Sequence, residues 1–202
     1  MGPASGRPVP SRNTTMAQAP FPSPTAAWHT TAQPSGSPSR PELSAKGKNV
    51  LITGGGTGIG AETARYFAEA GAARIALLGR REQPLLDTQT ALRQSFANVD
   101  VFVASTDVTN KSEVDAAFAR FLGDEKLHVV ISNAATIGPQ EPVAQVDGDK
   151  FLASVNVNLA GAVNVAQAFV RHAAKDAVAI EVNSSAGHIN FGAGKKKRGA
   201  TL

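Results

Sequence analysis

One stretch of the 202-residue sequence decides its fold, and it reads Asn49-Val50-Leu51-Ile52-Thr53-Gly54-Gly55-Gly56-Thr57-Gly58-Ile59-Gly60. It opens with a short, largely apolar run at residues 49–52, which is typical of a strand buried on both faces of a parallel sheet. Beyond the glycines, Gly60, Ala64, Phe67 and Ala68 share one face of a helix, and Gly71 is suited to end that helix. A strand, a glycine-rich turn and a helix in this order predict the first unit of a βαβ fold.

The same pattern repeats along the sequence. Short apolar runs predict further strands near residues 74–78, 99–103, 128–132 and 177–184, and helical patterns lie between them near residues 83–96, 111–122 and 147–174. Strands that alternate with helices predict a parallel sheet. We therefore predict an α/β fold with a Rossmann-type, doubly wound parallel sheet that is incomplete at its C-terminal edge.

The two ends of the chain differ in composition from this middle part. Nine of the twelve prolines fall within residues 1–41, among Ser, Thr, Ala and Gly, so residues 1–45 are predicted to form a disordered extension. Its arginines and its lack of acids resemble a mitochondrial targeting segment, but the prolines oppose a long amphipathic helix and favour plain disorder. The predicted dinucleotide-binding domain covers residues 46–194, and a basic tail covers residues 195–202.

The net charge of +4 suggests a nucleic-acid partner until the charges are located. Residues 42–194 carry 13 basic against 16 acidic side chains, so the excess lies in the two tails and no nucleic-acid partner is predicted. No apolar run approaches the roughly 20 residues of a membrane helix, so no membrane partner is predicted. The lack of cysteine excludes disulfides and thiolate zinc sites, and we predict no metal and an intracellular, cytoplasmic location.

The glycine-rich turn has the composition of a phosphate-binding loop. Glycines let the backbone approach a pyrophosphate closely, and free N–H groups at the start of the next helix face its negative charge. A glycine-rich turn without a ligand is the alternative, but the strand before it and the helix after it favour binding. The predicted binding residues are Gly54, Gly56, Thr57, Gly58, Ile59 and Gly60, of which Gly58 and Gly60 matter most.

The end of the second strand distinguishes the two nicotinamide coenzymes. About 20 residues past the glycines, an acidic side chain binds the ribose hydroxyls of NAD, whereas a basic one pairs with the 2′-phosphate of NADP. The sequence has Gly79-Arg80-Arg81 there, and the nearest acid is Glu82. The planar donors of an arginine suit a phosphate, so Arg80 is predicted to bind NADP(H), with NAD less favoured. Alternatively, both arginines are solvated loop charges, one of them paired with Glu82.

Residues 53–60 fit the pattern Thr-Gly-x-x-x-Gly-x-Gly, and from about Lys46 to His188 the chain resembles the short-chain dehydrogenases/reductases. The resemblance implies NAD(P)-dependent hydride transfer between nicotinamide and a small carbonyl or alcohol substrate. It also implies that Asp107 and Val108 border the adenine and that Asn133 and Ala134 lie near the ribose. The segment Ser132-Asn133-Ala134-Ala135 departs from the family's Asn-Asn-Ala-Gly at its first and last positions.

Two residues resemble members of the family's catalytic set. Asn158 begins an Asn-x-x-Gly segment on the long helix, and the resemblance implies that its side chain holds a water in the proton path; it is preferred to Asn156. For the serine after the fifth strand, alternation along the strand selects Ser184, which shares a face with the apolar residues. Counting the Ser-Ser doublet as the family's selects Ser185 instead.

The family's tyrosine is missing from its expected place. It would fall at Lys197 or Arg198, and the only tyrosine in the chain is Tyr66, on the first helix. We therefore expect an inactive chain, truncated before the Tyr-x-x-x-Lys motif, and a retained intron after Gly194 is our hypothesis for the break. A non-catalytic NADPH-binding or regulatory protein and a non-functional truncated product stay open as alternatives. The substrate is not readable, and a homo-oligomer is expected only when the C-terminal part is present.

Overall fold

The structure is a computed structural model and describes residues 34–184. In this part of the chain, five parallel strands form a single sheet. The strands are β1 (Asn49–Thr53), β2 (Arg74–Gly79), β3 (Asp100–Ser105), β4 (Leu127–Ser132) and β5 (Ala173–Glu181). Their order across the sheet is β3-β2-β1-β4-β5, and every pairing is parallel. The predicted α/β fold with a Rossmann-type parallel sheet is confirmed.

Helices connect the strands and cover both faces of the sheet. They are α1 (Gly58–Glu69), α2 (Glu82–Ser95), α3 (Lys111–Leu122), α4 (Gly148–Val155) and α5 (Gly161–His172). A π-helical turn, Asn156–Ala160, joins α4 to α5, and short 3-10 turns lie at Pro34–Gly36, Pro41–Leu43 and Val143–Gln145. The predicted helix at 147–174 is therefore one long helix with a π turn in its middle.

Burial explains why β1 reads as a continuous apolar run. Every residue of β1 is buried. Leu51 packs with α3 and α5 on one face of the sheet, while Val50 and Ile52 pack with α1 and α2 on the other. A strand with two covered faces has no solvent side on which to place polar residues, so the usual alternation disappears.

Strand order places a crevice at one edge of the sheet. The chain runs from β1 outward through β2 and β3, then returns to the other side of β1 with β4 and β5. The connections after β1 and β4 therefore leave the sheet in opposite directions. In open α/β sheets, ligands bind in the crevice outside the carboxyl ends of the strands at such a switch point.

Two predicted boundaries differ from the structure. The compact unit begins at Pro38, and Ala45 is buried against α1, where its N–H donates to Ala70 O at 2.8 Å. The compact unit therefore begins within the predicted extension at 1–45, and Ala45 is the buried residue of the stretch from 38 to 45. Residues 1–33 and the tail at 195–202 lie outside the described residues.

The second difference concerns β5, which was predicted at 177–184. The strand starts earlier, with Ala173 beside Leu127, and a register shift separates this pair from the regular pairing of Val178 to Glu181 with β4. Val182 N still donates to Ser132 O at 2.9 Å, but Ser184 lies beyond the strand. The strand alternation that selected Ser184 thus does not extend to it, because pairing with β4 ends first.

A polar cluster fixes the opposite edge of the sheet, where the strands begin. The buried side chain of Asn49 donates to Glu125 Oε2 at 2.6 Å and to Lys126 O at 3.0 Å. Its backbone N–H donates to His128 Nδ1 at 3.0 Å. Arg74 Nη1 lies 3.0 Å from the same Glu125 oxygen. One carboxylate thereby ties the start of β1 to β2 and to the loop before β4.

Replacing Glu125 with glutamine is expected to lower the melting temperature at neutral pH. The hydrogen bond from Asn49, and then that from Arg74, hold the pKa of the Glu125 carboxyl below its ordinary value. Its contribution is therefore present above the unfolded-state pKa of about 4.3 and is lost as the pH falls through the folded-state value. Thermal melts from pH 7 to pH 3 should show the two proteins converging at low pH.

The neighbouring Asp124→Asn substitution is the matched control for Glu125→Gln. Asp124 is exposed and enters none of the ion pairs found among residues 34–184. An equal, pH-dependent loss in both variants would contradict the role assigned to Glu125.

Across residues 34–184, no helix combines the length and apolar character that a bilayer span requires.

Candidate coenzyme-binding site

A cavity of about 270 Å³ lies at the carboxyl ends of β1, β2 and β4, at the switch point of the sheet. Eight of the eleven predicted coenzyme residues line it, and they come from four separate segments of the chain. These are Gly54, Gly56, Thr57, Arg80, Asp107, Val108, Asn133 and Ala134. The fold thus brings together residues that are up to 80 positions apart in sequence.

The other three predicted residues form the first turn of α1. Gly58 and Ile59 are exposed, whereas Gly60 is buried beneath the loop. Thr57, at the N-cap position, makes no side-chain hydrogen bond to the helix. The first N–H groups of a helix have no carbonyl partner within it. The start of α1 therefore keeps backbone donors available for an anion.

The loop needs glycine at two positions for different reasons. Gly54 has a φ of 68°, in the left-handed region that glycine adopts at no steric cost. At Gly60, a Cβ atom would overlap the carbonyl oxygen of Gly54 and would lie 2.8 Å from Asn133 Nδ2. Glycine at position 60 thus lets α1 start directly beneath the loop.

Hydrogen bonds between the ends of β1 and β4 hold the loop in place. Thr53 Oγ1 accepts from Asn133 N at 3.0 Å and from Ala134 N at 2.9 Å. Asn133 Nδ2 donates to Thr53 O at 3.0 Å and, at 3.4 Å, to Gly54 O. Asn133, predicted to lie near the ribose, therefore braces the glycine loop with its side chain while it lines the cavity.

Replacing Thr53 with valine keeps the shape of the side chain and removes the acceptor that residues 34–184 provide for two partly buried N–H groups. Two unsatisfied donors at roughly 1–3 kcal/mol each would cost roughly 2–6 kcal/mol. We expect the free energy of unfolding to fall by about 2 kcal/mol, the lower end of this range, because both N–H groups are only partly buried. Urea denaturation measures the change. Thr90→Val is the control, because the exposed Thr90 hydroxyl bonds only within its own helix, to Leu86 O. An equal loss in both variants would contradict the bracing role.

Two arginines stand where β2 ends. Arg80 and Arg81 are exposed and line the cavity, and Arg80 O accepts a hydrogen bond from Ser105 Oγ at 3.1 Å. Among the ion pairs found in residues 34–184, none joins either arginine to Glu82. The arrangement with one arginine neutralised by Glu82 is therefore not the one observed.

Asp107 lies on the same wall of the cavity as an ionised carboxylate. Its Oδ1 accepts from Thr109 N at 2.9 Å and from Thr109 Oγ1 at 2.8 Å. The backbone bond from Thr109 is the main reason that the pKa of Asp107 is lowered, and the charge of Arg80 adds to the effect. Val108, next in sequence, is buried against Gly161 at the start of α5.

Asn158, one of the two predicted catalytic residues, directly follows Val157, which lines the cavity. Asn158 lies in the π turn, its Oδ1 accepting from Thr136 N and its Nδ2 donating to Thr136 O, both at 2.9 Å. Both ends of the amide thus anchor the loop after β4. A π turn often marks a functional site, because it interrupts the regular pairing of the helix. The water-holding role predicted for Asn158 stays a prediction, and in this structure both ends of its amide are paired with the backbone of Thr136.

Other predicted positions do not join this arrangement. Ser184 is exposed and follows β5, with its N–H bonded to Asn183 Oδ1 at 2.7 Å, and Ser185 lies outside the described residues, as does the basic run from Lys195. Tyr66 lies on α1, does not line the cavity, and has the Arg65 guanidinium 4.1 Å from its ring centre.

Sequence reasoning missed several residues of the site. Val157, Thr106 and Ala135 line the cavity, and Pro84 and Leu85 close it from α2. Val157 directly precedes Asn158 on the long helix, and this position could have identified Val157 as a residue of the cavity. The contribution of α2 had no sequence signal, since it depends on how closely that helix packs on the glycine loop.

Comparisons with known proteins agree with this architecture. A family model described as short chain dehydrogenase matches residues 48–195. A human protein named short-chain dehydrogenase/reductase 3 is 37% identical over 126 residues, which are 61% of this chain and 40% of that protein. A Claviceps purpurea short chain dehydrogenase/reductase is 30% identical over 139 residues, covering 69% of this chain and 47% of the relative. The chain spans less than half of the length of these relatives.

Solved structures show the same fold. A short-chain type dehydrogenase/reductase from Mycobacterium ulcerans superposes with a TM-score of 0.67 at 26% identity, covering 71% of this chain and 54% of that structure. Because the family model covers well over half of the sequence and the sheet order and glycine loop are in place, this chain belongs to the short-chain dehydrogenase family of oxidoreductases.

Proposed function

We propose that this chain binds NADP(H), with the pyrophosphate at the glycine loop, the adenine beside Asp107 and Val108, and the 2′-phosphate at Arg80. The observation that supports the proposal is the pair of arginines that follow β2 and line the cavity. In dinucleotide-binding folds, the side chain at this point of the second strand contacts the ribose or its 2′-phosphate. No carboxylate ends β2. A guanidinium presents donors that match a phosphate, which supports NADP(H) over NAD(H).

The residues present fit such a coenzyme. The uncapped start of α1 offers N–H donors, and Gly54, Gly56 and Gly60 keep side chains away from the backbone that must approach the pyrophosphate. When bound, the nicotinamide supplies or accepts the hydride of the family's reaction. Arg80 and the loop would bind and orient the coenzyme, and Asn158 would hold the loop after β4 in position.

Titration of the folded chain with NADPH and NADH tests the proposed preference. We expect NADPH to bind at least about tenfold more tightly, because charge-assisted hydrogen bonds contribute roughly 1.5–3 kcal/mol. Equal binding, or tighter binding of NADH, would overturn the preference. NAD binding has a precedent among the structural relatives, since one of them is a xylitol dehydrogenase bound to NAD+. That structure superposes with a TM-score of 0.63 at 27% identity, covering 71% of this chain and 55% of that structure.

For the whole protein, we propose hydride transfer between the nicotinamide and a small carbonyl or alcohol substrate, without turnover by the 202-residue chain itself. The second candidate function is coenzyme binding without catalysis, as in a regulatory protein. It is favoured by the position of the only tyrosine, Tyr66, which does not line the cavity. If this chain oxidised NADPH with any carbonyl compound, two proposals would be contradicted: that the 202-residue chain does not turn over, and that it binds the coenzyme without catalysis.

A further inference from the structure

A second cavity, of about 360 Å³, adjoins the coenzyme cavity and shares Arg80 and Val157 with it as common walls. One wall is the loop after β4, including Ile137 and Pro139. The facing wall is a single face of the long helix, since Lys150, Ala153, Ser154 and Val157 follow one another at i, i+3, i+4 and i+7. Because Arg80, the proposed partner of the 2′-phosphate, lines both cavities, the second cavity adjoins the proposed position of that phosphate.

The three charged side chains that line the second cavity form no ion pairs within residues 34–184. Arg80 and Lys150 are cationic and Glu141 is anionic, and all three are exposed. None of the ion pairs found among residues 34–184 includes any of the three. By contrast, Lys111 on α3 is paired with Asp115 at 2.5 Å. The Lys150 charge therefore remains available to a ligand.

We propose that Lys150 is a second residue that discriminates NADP(H) from NAD(H). It lies on α4 and lines the second cavity, and Arg80 separates that cavity from the coenzyme cavity. This inference rests on the proposed function, since it places the 2′-phosphate at Arg80. Lys150 raises the positive potential at that position, and Glu141 lowers it. The interaction acts through space rather than by a contact, so it weakens as salt screens it.

The side chain of Lys150 can be replaced without disturbing the helix. Its backbone N–H bonds to the N-cap residue Asp147 at 3.1 Å, whereas its side chain bonds to no described residue. Lys150→Gln therefore removes the charge alone. Lys175→Gln is the matched control, because Lys175 is an exposed lysine on β5 that lines neither cavity.

The experiment compares dissociation constants of NADPH and NADH by calorimetric titration at low and high salt. Lys150→Gln is expected to weaken NADPH binding about threefold at low salt and to leave NADH unchanged. Glu141→Gln is expected to act in the opposite direction, by a similar factor. Both effects should shrink in high salt, and Lys175→Gln should change neither coenzyme.

The outcomes separate this inference from the proposed function. If the unsubstituted chain prefers NADPH but Lys150→Gln behaves as Lys175→Gln does, the role of Lys150 is overturned and the proposed function stands. Equal weakening of NADPH and NADH in Lys150→Gln would also overturn it, since a structural change would then explain the loss. If the folded, unsubstituted chain binds neither coenzyme or prefers NADH, the proposed function fails and the inference fails with it.

Discussion

Replacing Gly60 with alanine is expected to abolish coenzyme binding and to lower the free energy of unfolding by about 1–3 kcal/mol. The added methyl group would overlap the carbonyl of Gly54 and approach Asn133 Nδ2, so the loop must move away from α1. Both neighbours are fixed, because Gly54 is in the loop backbone and Asn133 is tied to Thr53. Titration calorimetry and urea denaturation would measure the two effects.

Gly148→Ala is the control for the Gly60 substitution. Gly148 begins α4, and a Cβ atom there would meet nothing within 4 Å. Since alanine also favours the helix, this variant should keep its stability and its NADPH affinity. A Gly60→Ala protein that binds NADPH as tightly as Gly148→Ala would show that the close approach of α1 to the loop is unimportant for binding.

Reversing the charge at position 80, in Arg80→Glu, is expected to weaken NADPH binding about a hundredfold while changing NADH binding little. The substitution removes a charge-assisted hydrogen bond and places a carboxylate near the 2′-phosphate, which together cost roughly 3 kcal/mol. Measuring dissociation constants for both coenzymes gives the ratio directly. Arg80 makes no ion pair with another described side chain, although its charge adds to the lowered pKa of Asp107, so only a small loss of stability is expected.

The neighbouring Arg81→Glu substitution shows whether position or net charge decides the result for Arg80→Glu. Arg81 also lines the cavity, but it is the N-cap residue of α2 and does not reach the second cavity. We expect a smaller loss of NADPH affinity, of about tenfold or less. If the two reversals were equal, the assignment of the 2′-phosphate to Arg80 in particular would be wrong.

The central strands and their helices could be predicted from sequence because burial alone determines them. Residues 49–52 and 128–132 lie inside the sheet, where mainly apolar residues are accommodated, and their predicted positions agree with β1 and β4. The start of β5 could not be predicted in this way. It depends on a register shift against β4, which brings Ala173 next to Leu127 and is a property of the folded sheet.

The coenzyme site was more predictable than the catalytic end. The glycine loop has a local signature, because backbone conformation and close approach require particular residues at particular positions. Asn158 was selected as a candidate from the sequence, but its bonds to Thr136 were not predicted, since they join residues 22 positions apart through a loop with no regular pattern. Thr53 was quoted within the motif, and only the structure showed that its hydroxyl accepts from two N–H groups of the β4 segment.

The most direct test of coenzyme binding at the glycine loop is hydrogen exchange of backbone amides in the folded chain, with and without NADPH. The amides of Gly58, Ile59 and Gly60 have no carbonyl partner within α1, so we expect rapid exchange in the free protein and strong protection in the complex. Protection at these three amides is the result that the structure predicts. Saturating NADPH that leaves them unprotected, or protects only other segments, would contradict the account.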